Sequence, residues 1–301
     1  MAALRINVYN AAFADAVLVE ISVQANGPDT HADDQQTGRN MIERWLDLPT
    51  AGIFAVLTVL YAVTAAAIVW LTYGAPLGPR VRKLDGVVAP YFGSVGLLLA
   101  LLTGFLAGDI ADRNRQAARA VQAEVAELRN VFTLSVASAS DMRDIRAAWA
   151  RYVSAVARDE WPAMADGRSA ASAAAAYDDL LREVSDPKNV TQPGAPVQSA
   201  LLTATVRVGT ARSERLALAS DSTSELRWEL VLILGVMTQI AIGLVHLQRR
   251  NAQIAALAVF SVSVVIALGL IGLQEYPFAG NVQIHPTAYQ NLLKEHSANG
   301  R

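Results

Sequence analysis

The sequence predicts an all-α integral membrane protein with four transmembrane helices and a soluble helical bundle inserted between the second and third of them. Four apolar stretches are long enough to cross a bilayer. Of the 301 residues, 53% are hydrophobic and only 17% are charged, whereas soluble domains carry about 25% charged residues. Between the second and third apolar stretches, apolar residues recur at helical spacing among polar ones.

Residues 1–40 are predicted to form a loose N-terminal extension, because residues 26–40 are polar and contain glycine, as disordered linkers do. Met41 starts a segment that resembles a natural N-terminus, in which Trp45 is placed for a membrane interface. Two interpretations stay open. Either Met41 is the native start, or residues 1–40 are a native tail that holds at most a short helix over residues 2–22.

The first span is predicted at Ala51 to Tyr73, within a membrane unit of residues 41–108. Its roughly ten Ile, Leu, Val and Phe residues each contribute about −0.3 to −0.6 kcal/mol to insertion, and no charge opposes the total of roughly −4 kcal/mol. Pro76 and Pro79 then prevent a helix from continuing through the connector.

The second span, Tyr91 to Gly108, has eighteen residues without a charge and is about 27 Å long as a helix. Its two faces differ in side-chain size. The small-residue face, predicted to pack against another helix, holds Gly93, Gly96, Ala100 and Gly104. The bulky face, which can meet lipid or line a hydrophobic constriction, holds Tyr91, Leu98, Leu102 and Phe105, and Asp109 continues it past the end.

The soluble bundle is predicted over residues 109–228. Its second helix is expected to end at Pro162, because proline disfavours helical backbone at the preceding Trp161. After a proline-containing loop, one long helix is expected from Val197 to Trp228.

Residues 229–274 hold the third span, Leu230 to Leu247, and the fourth, Ile254 to Leu273. Residues 275–301 are predicted to form a C-terminal amphipathic segment and tail. Four spans place both termini and the bundle on one side of the membrane. The two short connectors carry five basic residues and one acid, which indicates a cytoplasmic location for them, but arginines are also numerous near the membrane on the opposite side.

Motifs for catalysis are absent from the sequence. It lacks the GxGxxG, phosphate-binding, HExxH and GxSxG patterns, so we expect no enzyme activity, no catalytic residue and no cofactor. It contains no cysteine, and its four histidines are scattered, so no metal site is expected. The net charge of −2 is not that of a nucleic-acid-binding protein. No span has an ionisable residue in its interior, which argues against active transport and leaves passive conduction or none.

The charged residues after the second span have two interpretations. In an oligomer, Asp109 could form an acidic ring at a pore mouth, and such a ring would favour cations. Alternatively, Asp109 pairs with Arg113 at i,i+4 on a solvated helix, which contributes only a few tenths of a kcal/mol.

Several motifs are distributed along the chain in an order that is specific as a set. They are GFLAGD at the end of the second span, RQAARAVQAEVAELRNVF from Arg115, EWP at Glu160, Trp161 and Pro162, RWELVL from Arg227, and EYPFAGNVQI with Pro277, Phe278 and Gly280. Together they resemble bacterial membrane proteins of the bestrophin-like group. The resemblance covers roughly residues 41–294.

This resemblance implies a relation to bestrophin ion channels, which assemble as pentamers around the second span, with apolar rings forming a neck. Leu98, Leu102 and Phe105 are then the neck candidates. The resemblance also implies a bacterial inner-membrane protein with its helical bundle in the cytoplasm. The sequence has no counterpart of the acidic calcium-binding loop of animal bestrophins, so no calcium site is implied.

Two functional hypotheses follow. The first is a homo-oligomeric channel in the lipid bilayer that passes small inorganic ions passively. The alternative is a non-conducting membrane scaffold whose helical bundle binds a partner protein.

Overall fold

The computed structural model describes residues 41–76, 78–84, 89–138, 141–186, 195–280 and 282–299. The predictions for residues 1–40 lie outside this part of the chain. The described residues form helices and contain no strand, which confirms the predicted fold class. The α-helices are α1 (Met41–Leu46), α2 (Thr50–Tyr73), α3 (Gly78–Val81), α4 (Ala89–Ala137), α5 (Arg143–Ala155), α6 (Trp161–Ala165), α7 (Ala171–Ser185), α8 (Ala195–Ser220), α9 (Glu225–Val245), α10 (Arg250–Gly272) and α11 (Thr287–Asn299).

Four of these helices, α2, α4, α9 and α10, are long and apolar enough to cross a membrane, as predicted. Helices α2, α9 and α10 pack on one another, whereas α4 contacts mainly α9 among the spans and packs most extensively on α8 in the bundle. Glycines allow the close crossings. A Cβ atom added to Gly235 of α9 would overlap the Tyr61 hydroxyl, and one added to Gly269 of α10 would overlap the Phe54 ring, so small residues set the helix spacing here.

A buried amide links three of the spans. Gln239 of α9 is fully buried and donates from Nε2 to the Tyr61 carbonyl at 3.0 Å and to the Ser261 hydroxyl at 2.8 Å. The Thr64 hydroxyl donates to the Gln239 side-chain oxygen. Because lipid cannot satisfy such groups, these bonds hold α2, α9 and α10 in one register.

Helix α4 is continuous for 49 residues, or about 73 Å. Its first part contributes Leu99, Leu106 and Ile110 to the membrane core. Its second part contributes Val121 and Leu128 to the bundle core. No break marks the predicted boundary at residue 109, so one rigid element joins the membrane to the bundle.

The predicted helix end at Pro162 is wrong. Trp161 has helical dihedral angles, φ −60° and ψ −48°, and its N–H bonds to the Val156 carbonyl five residues earlier. Pro162 has no N–H to donate, so one widened π-helical turn, Val156–Glu160, accommodates it and the helix continues through α6. The chain turns only at Gly167, whose φ is +68°.

The predicted single helix from Val197 to Trp228 is also wrong, because it is broken between α8 and α9. The break contains residues 221–224, Asp-Ser-Thr-Ser, whose short polar side chains compete with helical hydrogen bonds. The Thr223 N–H donates to the Glu275 carboxylate at 2.7 Å. A long-range contact therefore replaces a helical bond at this position.

Candidate functional site

Helix α4 has one covered side and one open side within the membrane. Leu99, Leu106 and Ile110 are buried against the other spans. The opposite side presents Leu97, Leu101 and Phe105, which are 70%, 49% and 61% exposed. These three residues are spaced by four, so they form one apolar stripe along the helix. We refer to Leu97, Leu101 and Phe105 as the open stripe.

The predicted pore-lining residues do not all share that stripe. Leu98 and Phe105 are exposed, whereas Leu102 is half-buried and packs against the membrane core. Leu102 and Phe105 both line a crevice of about 340 Å³ between α4 and α9. Tyr91 belongs to α4, but its side chain lies outside the described part of the structure.

No helix in the described residues covers the predicted helix-packing face. A Cβ atom added to Gly93, Gly96 or Gly104 would have no neighbour within 4 Å, and Ala100 is exposed. Gly108, one turn after Gly104, is equally open. One side of α4 is thus accessible to a partner along its membrane length.

The charges after the second span are arranged differently from the expected i,i+4 pair. Asp109 pairs with Arg227 of α9, so its pairing with Arg113 is wrong. Arg113 is buried and donates to the Glu275 carboxylate and to the Thr223 hydroxyl, both at 2.8 Å. The expected i,i+4 pair does not form because the buried Glu275 carboxylate, just after the fourth span, binds Arg113 instead.

The open side of α4 continues past the membrane as a charged face. Asp112 pairs with Arg115, and both are exposed. Arg119 follows one turn later, is exposed, and has no acidic partner among the described residues. Since all three lie on the side that carries the open stripe, this face has one excess positive charge per chain.

A buried charge network fastens α4 to the rest of the bundle. Arg215 of α8 is fully buried and donates from Nε to Glu124 at 2.7 Å and from Nη2 to Glu160 at 2.8 Å. Arg212 also pairs with Glu160, and the Tyr152 hydroxyl donates to Glu124 at 2.6 Å. Two carboxylates are therefore balanced by two guanidinium groups away from water.

Burial shifts the titration of groups in this network. Burial raises the pKa of Tyr152 well above its ordinary value, and the adjacent Glu124 carboxylate raises it further. Burial also raises the pKa of Tyr289. For Arg215, burial lowers the pKa, but the interactions with Glu124, Tyr289 and Glu160 together outweigh burial and hold the pKa well above its ordinary range. Both tyrosines and the Arg215 guanidinium therefore stay protonated at neutral pH.

The two motifs EWP and PFxG meet beside this network. The Trp161 ring contacts Phe278 edge-on with centroids 5.5 Å apart, and Trp161 Nε1 donates to the Ile284 carbonyl at 3.1 Å. Pro277 accepts a backbone bond from Ile284 at 2.8 Å, and Gly280 has φ +79°, which only glycine adopts easily. Trp161, Pro277 and Phe278 thus dock the C-terminal segment on the bundle, whereas Glu160 belongs to the charge network and Pro162 is exposed.

The fold is thus that of a four-span membrane protein in which one continuous helix joins the membrane to a charged helical bundle. The Bestrophin-like domain matches residues 59–289, and the chain belongs to that family. No curated protein sequence matches this chain.

Solved structures share the fold at low sequence identity. A tryptophan-to-alanine variant of a bacterial bestrophin homologue from Klebsiella pneumoniae is 12% identical, with a TM-score of 0.62 over 84% of this chain and 98% of that one. The same homologue solved by Zn-SAD phasing is 10% identical, with a TM-score of 0.57 over 82% and 96%. A serine-to-alanine variant described only as a membrane protein is 11% identical, with a TM-score of 0.61 over 83% and 97%.

Proposed function

We infer that this protein is a passive ion channel of the bacterial inner membrane, built from several copies that surround a pore lined by α4. The observation that carries the inference is the open stripe of Leu97, Leu101 and Phe105. These bulky apolar side chains lie on a membrane helix and remain 49% to 70% exposed in the described part of the chain. Rings of such residues form hydrophobic constrictions in channels.

The continuity of α4 favours a pore over a surface that only faces lipid. The side with the open stripe passes directly into Asp112, Arg115 and Arg119, charged residues that suit a water-filled vestibule and not a lipid tail region. Small residues such as Gly104 and Gly108 flank the stripe and allow neighbouring copies to approach closely. The bestrophin-like family supports five copies, with the bundle on the cytoplasmic side.

The open stripe also refines the candidate neck. Leu97 and Leu101 join Phe105 as the residues that face the pore, and Leu98 lies at the edge of the stripe. Leu102 is instead half-buried against the other spans, although it shares the crevice beside α9 with Phe105. Asp109 is neutralised by Arg227, so an acidic ring at this level has little support.

The charge on the open side predicts a preference for anions. Asp112 and Arg115 compensate each other, and Arg119 then leaves a positive ring in the assembled protein. A basic ring at a pore mouth raises the local concentration of anions.

Ion flux from liposomes that contain the purified protein tests this function. We expect flux in separate chloride and potassium gradients, with chloride faster. Leu101→Ala widens the constriction and should raise the flux, whereas Leu102→Ala is the matched control and should leave flux per folded channel unchanged. Absence of flux in both gradients from folded, oligomeric protein would overturn the channel and favour the alternative, a membrane scaffold whose bundle binds a partner protein.

A further inference from the structure

A groove runs along the outer surface of the membrane helices between α2 and α10. Its volume is about 890 Å³, and it extends along α2 from Thr58 to Gly74, which is about 24 Å of helix. The alanine-rich part of α2 opens it, because Ala62, Ala65 and Ala66 do not reach across to α10. The opposite wall includes Leu257 and Ile266 of α10.

The end of the groove nearest the short connectors is lined by aromatic and basic side chains instead of small apolar ones. Trp70, Tyr73 and Arg250 line it there. Trp70 is 61% exposed, as is typical of an aromatic residue at a membrane interface. The Tyr73 hydroxyl donates to the Leu247 carbonyl at 3.0 Å, which fixes that side chain. Arg250 is exposed and has no acidic partner among the described residues.

We propose that this groove binds one phospholipid with an anionic headgroup. An acyl chain would lie against the alanine-rich wall, and the phosphate would contact Arg250 beside Trp70. Within a bilayer, the apolar part must be filled by hydrocarbon, because water gains no hydrogen bonds there. The unpaired charge of Arg250 selects the anionic headgroup by charge complementarity.

This lipid site accounts for one basic residue in a charge distribution that conflicts with the expected orientation. The connectors carry Arg80, Arg82, Lys83, Arg249 and Arg250 but a single acid, which by itself would place them in the cytoplasm. Binding of an anionic headgroup gives one of these basic residues, Arg250, a role on the opposite side, where the bestrophin-like orientation puts the connectors. The lipid site needs only membrane integration and does not depend on conduction.

Binding can be measured on the purified full chain in detergent by native mass spectrometry and thermal unfolding. Phosphatidylglycerol and phosphatidylcholine with identical acyl chains serve as the two probes. We expect phosphatidylglycerol to bind about fivefold more tightly, as one favourable contact to a basic residue near the membrane surface implies. Arg250→Gln should remove this preference. Arg249→Gln is the matched control, because Arg249 is equally exposed but does not line the groove.

A second pair of variants tests the apolar wall. Ala66→Phe should fill the groove and weaken binding of both lipids, whereas Ala67→Phe, on the adjacent exposed alanine outside the groove, should not. Equal binding of both lipids, or equal effects of the two arginine variants, would overturn the lipid site. A change of oligomeric mass in Ala66→Phe without a change in lipid binding would assign the groove to a second copy. Equal stabilisation by inorganic phosphate alone would assign it to a free anion.

Discussion

Replacing Arg215 with methionine should destabilise the bundle more than any surface charge change. The Arg215 side chain is fully buried and bridges Glu124 and Glu160 at 2.7 Å and 2.8 Å. Without it, Glu124 loses its guanidinium partner and keeps the neutral Tyr152 hydroxyl, while Glu160 keeps Arg212. Breaking a buried ion pair by removing one partner costs about 3–5 kcal/mol, so we expect the free energy of unfolding to fall by that amount in Arg215→Met.

Two comparisons make this prediction specific to burial. Arg212→Met removes a partner that is 13% exposed while Arg215 still balances Glu160, so a loss of about 2 kcal/mol is expected. Arg143→Met removes a 79% exposed arginine from its pair with Asp141, and no measurable change is expected. Denaturant unfolding in detergent, followed by circular dichroism, measures all three.

A double variant separates the loss of the ion-pair attraction from the cost of leaving a buried carboxylate without its partner. Glu124→Gln combined with Arg215→Met removes one carboxylate together with the guanidinium, so it should be less destabilised than Arg215→Met alone. If Arg215→Met unfolds at the same denaturant concentration as Arg143→Met, the buried network does not stabilise the bundle and the reasoning is refuted.

Two further predictions concern pH and ion selectivity. The pKa of Tyr152 lies well above its ordinary value of 10.0 in the folded chain. Above pH 10 the unfolded chain therefore loses the Tyr152 proton before the folded chain does. The contribution of protonated Tyr152 to the free energy of unfolding is complete below pH 10 and falls as the pH rises toward the folded pKa. Tyr152→Phe should make the loss of unfolding free energy above pH 10 shallower by about 1.4 kcal/mol per pH unit, and an unchanged slope in alkaline denaturation would contradict the assigned burial. Arg119→Gln should lower the ratio of chloride to potassium flux in liposomes, and a ratio equal to wild type would show that Arg119 does not face the pathway.

The four spans could be predicted because their signal is local and strong. Each is a long run without an internal charge, and lipid leaves few alternatives to a helix for such a run. The polar amide of Gln239 within the third span could not be assigned from sequence. Its partners Tyr61 and Ser261 lie on two other helices, and no local spacing reveals them.

The two errors in the bundle have related causes. Proline at position 162 normally predicts a helix end, but a π-helical turn allows the chain to remain helical with the missing N–H accommodated. For the long helix predicted from Val197 to Trp228, periodicity extends the helix through the serine-containing segment before the third span. In the structure the Thr223 N–H donates to the Glu275 carboxylate instead of to a helical carbonyl. Both outcomes depend on contacts or turn geometry that hydrophobic periodicity does not report.

The neck that we propose overlaps only in part with the one that the sequence predicts. Sorting the second span by side-chain size groups Leu102 with Phe105, whereas side-chain exposure groups Phe105 with Leu97 and Leu101. The spacing of four from Leu97 to Phe105 was a usable signal. However, choosing between the two groups requires knowing how far each side chain is buried by the other spans, which is a property of the tertiary fold.

Thiol modification of single-cysteine variants tests most directly whether α4 lines an ion pathway. The chain has no native cysteine, so Leu101→Cys and Leu102→Cys each introduce one thiol at adjacent positions. We predict that a water-soluble thiol reagent blocks ion flux through Leu101→Cys in liposomes and leaves Leu102→Cys unaffected. Block at Leu102→Cys with none at Leu101→Cys would contradict the open stripe as the neck, and no flux from folded wild-type protein would contradict the channel itself.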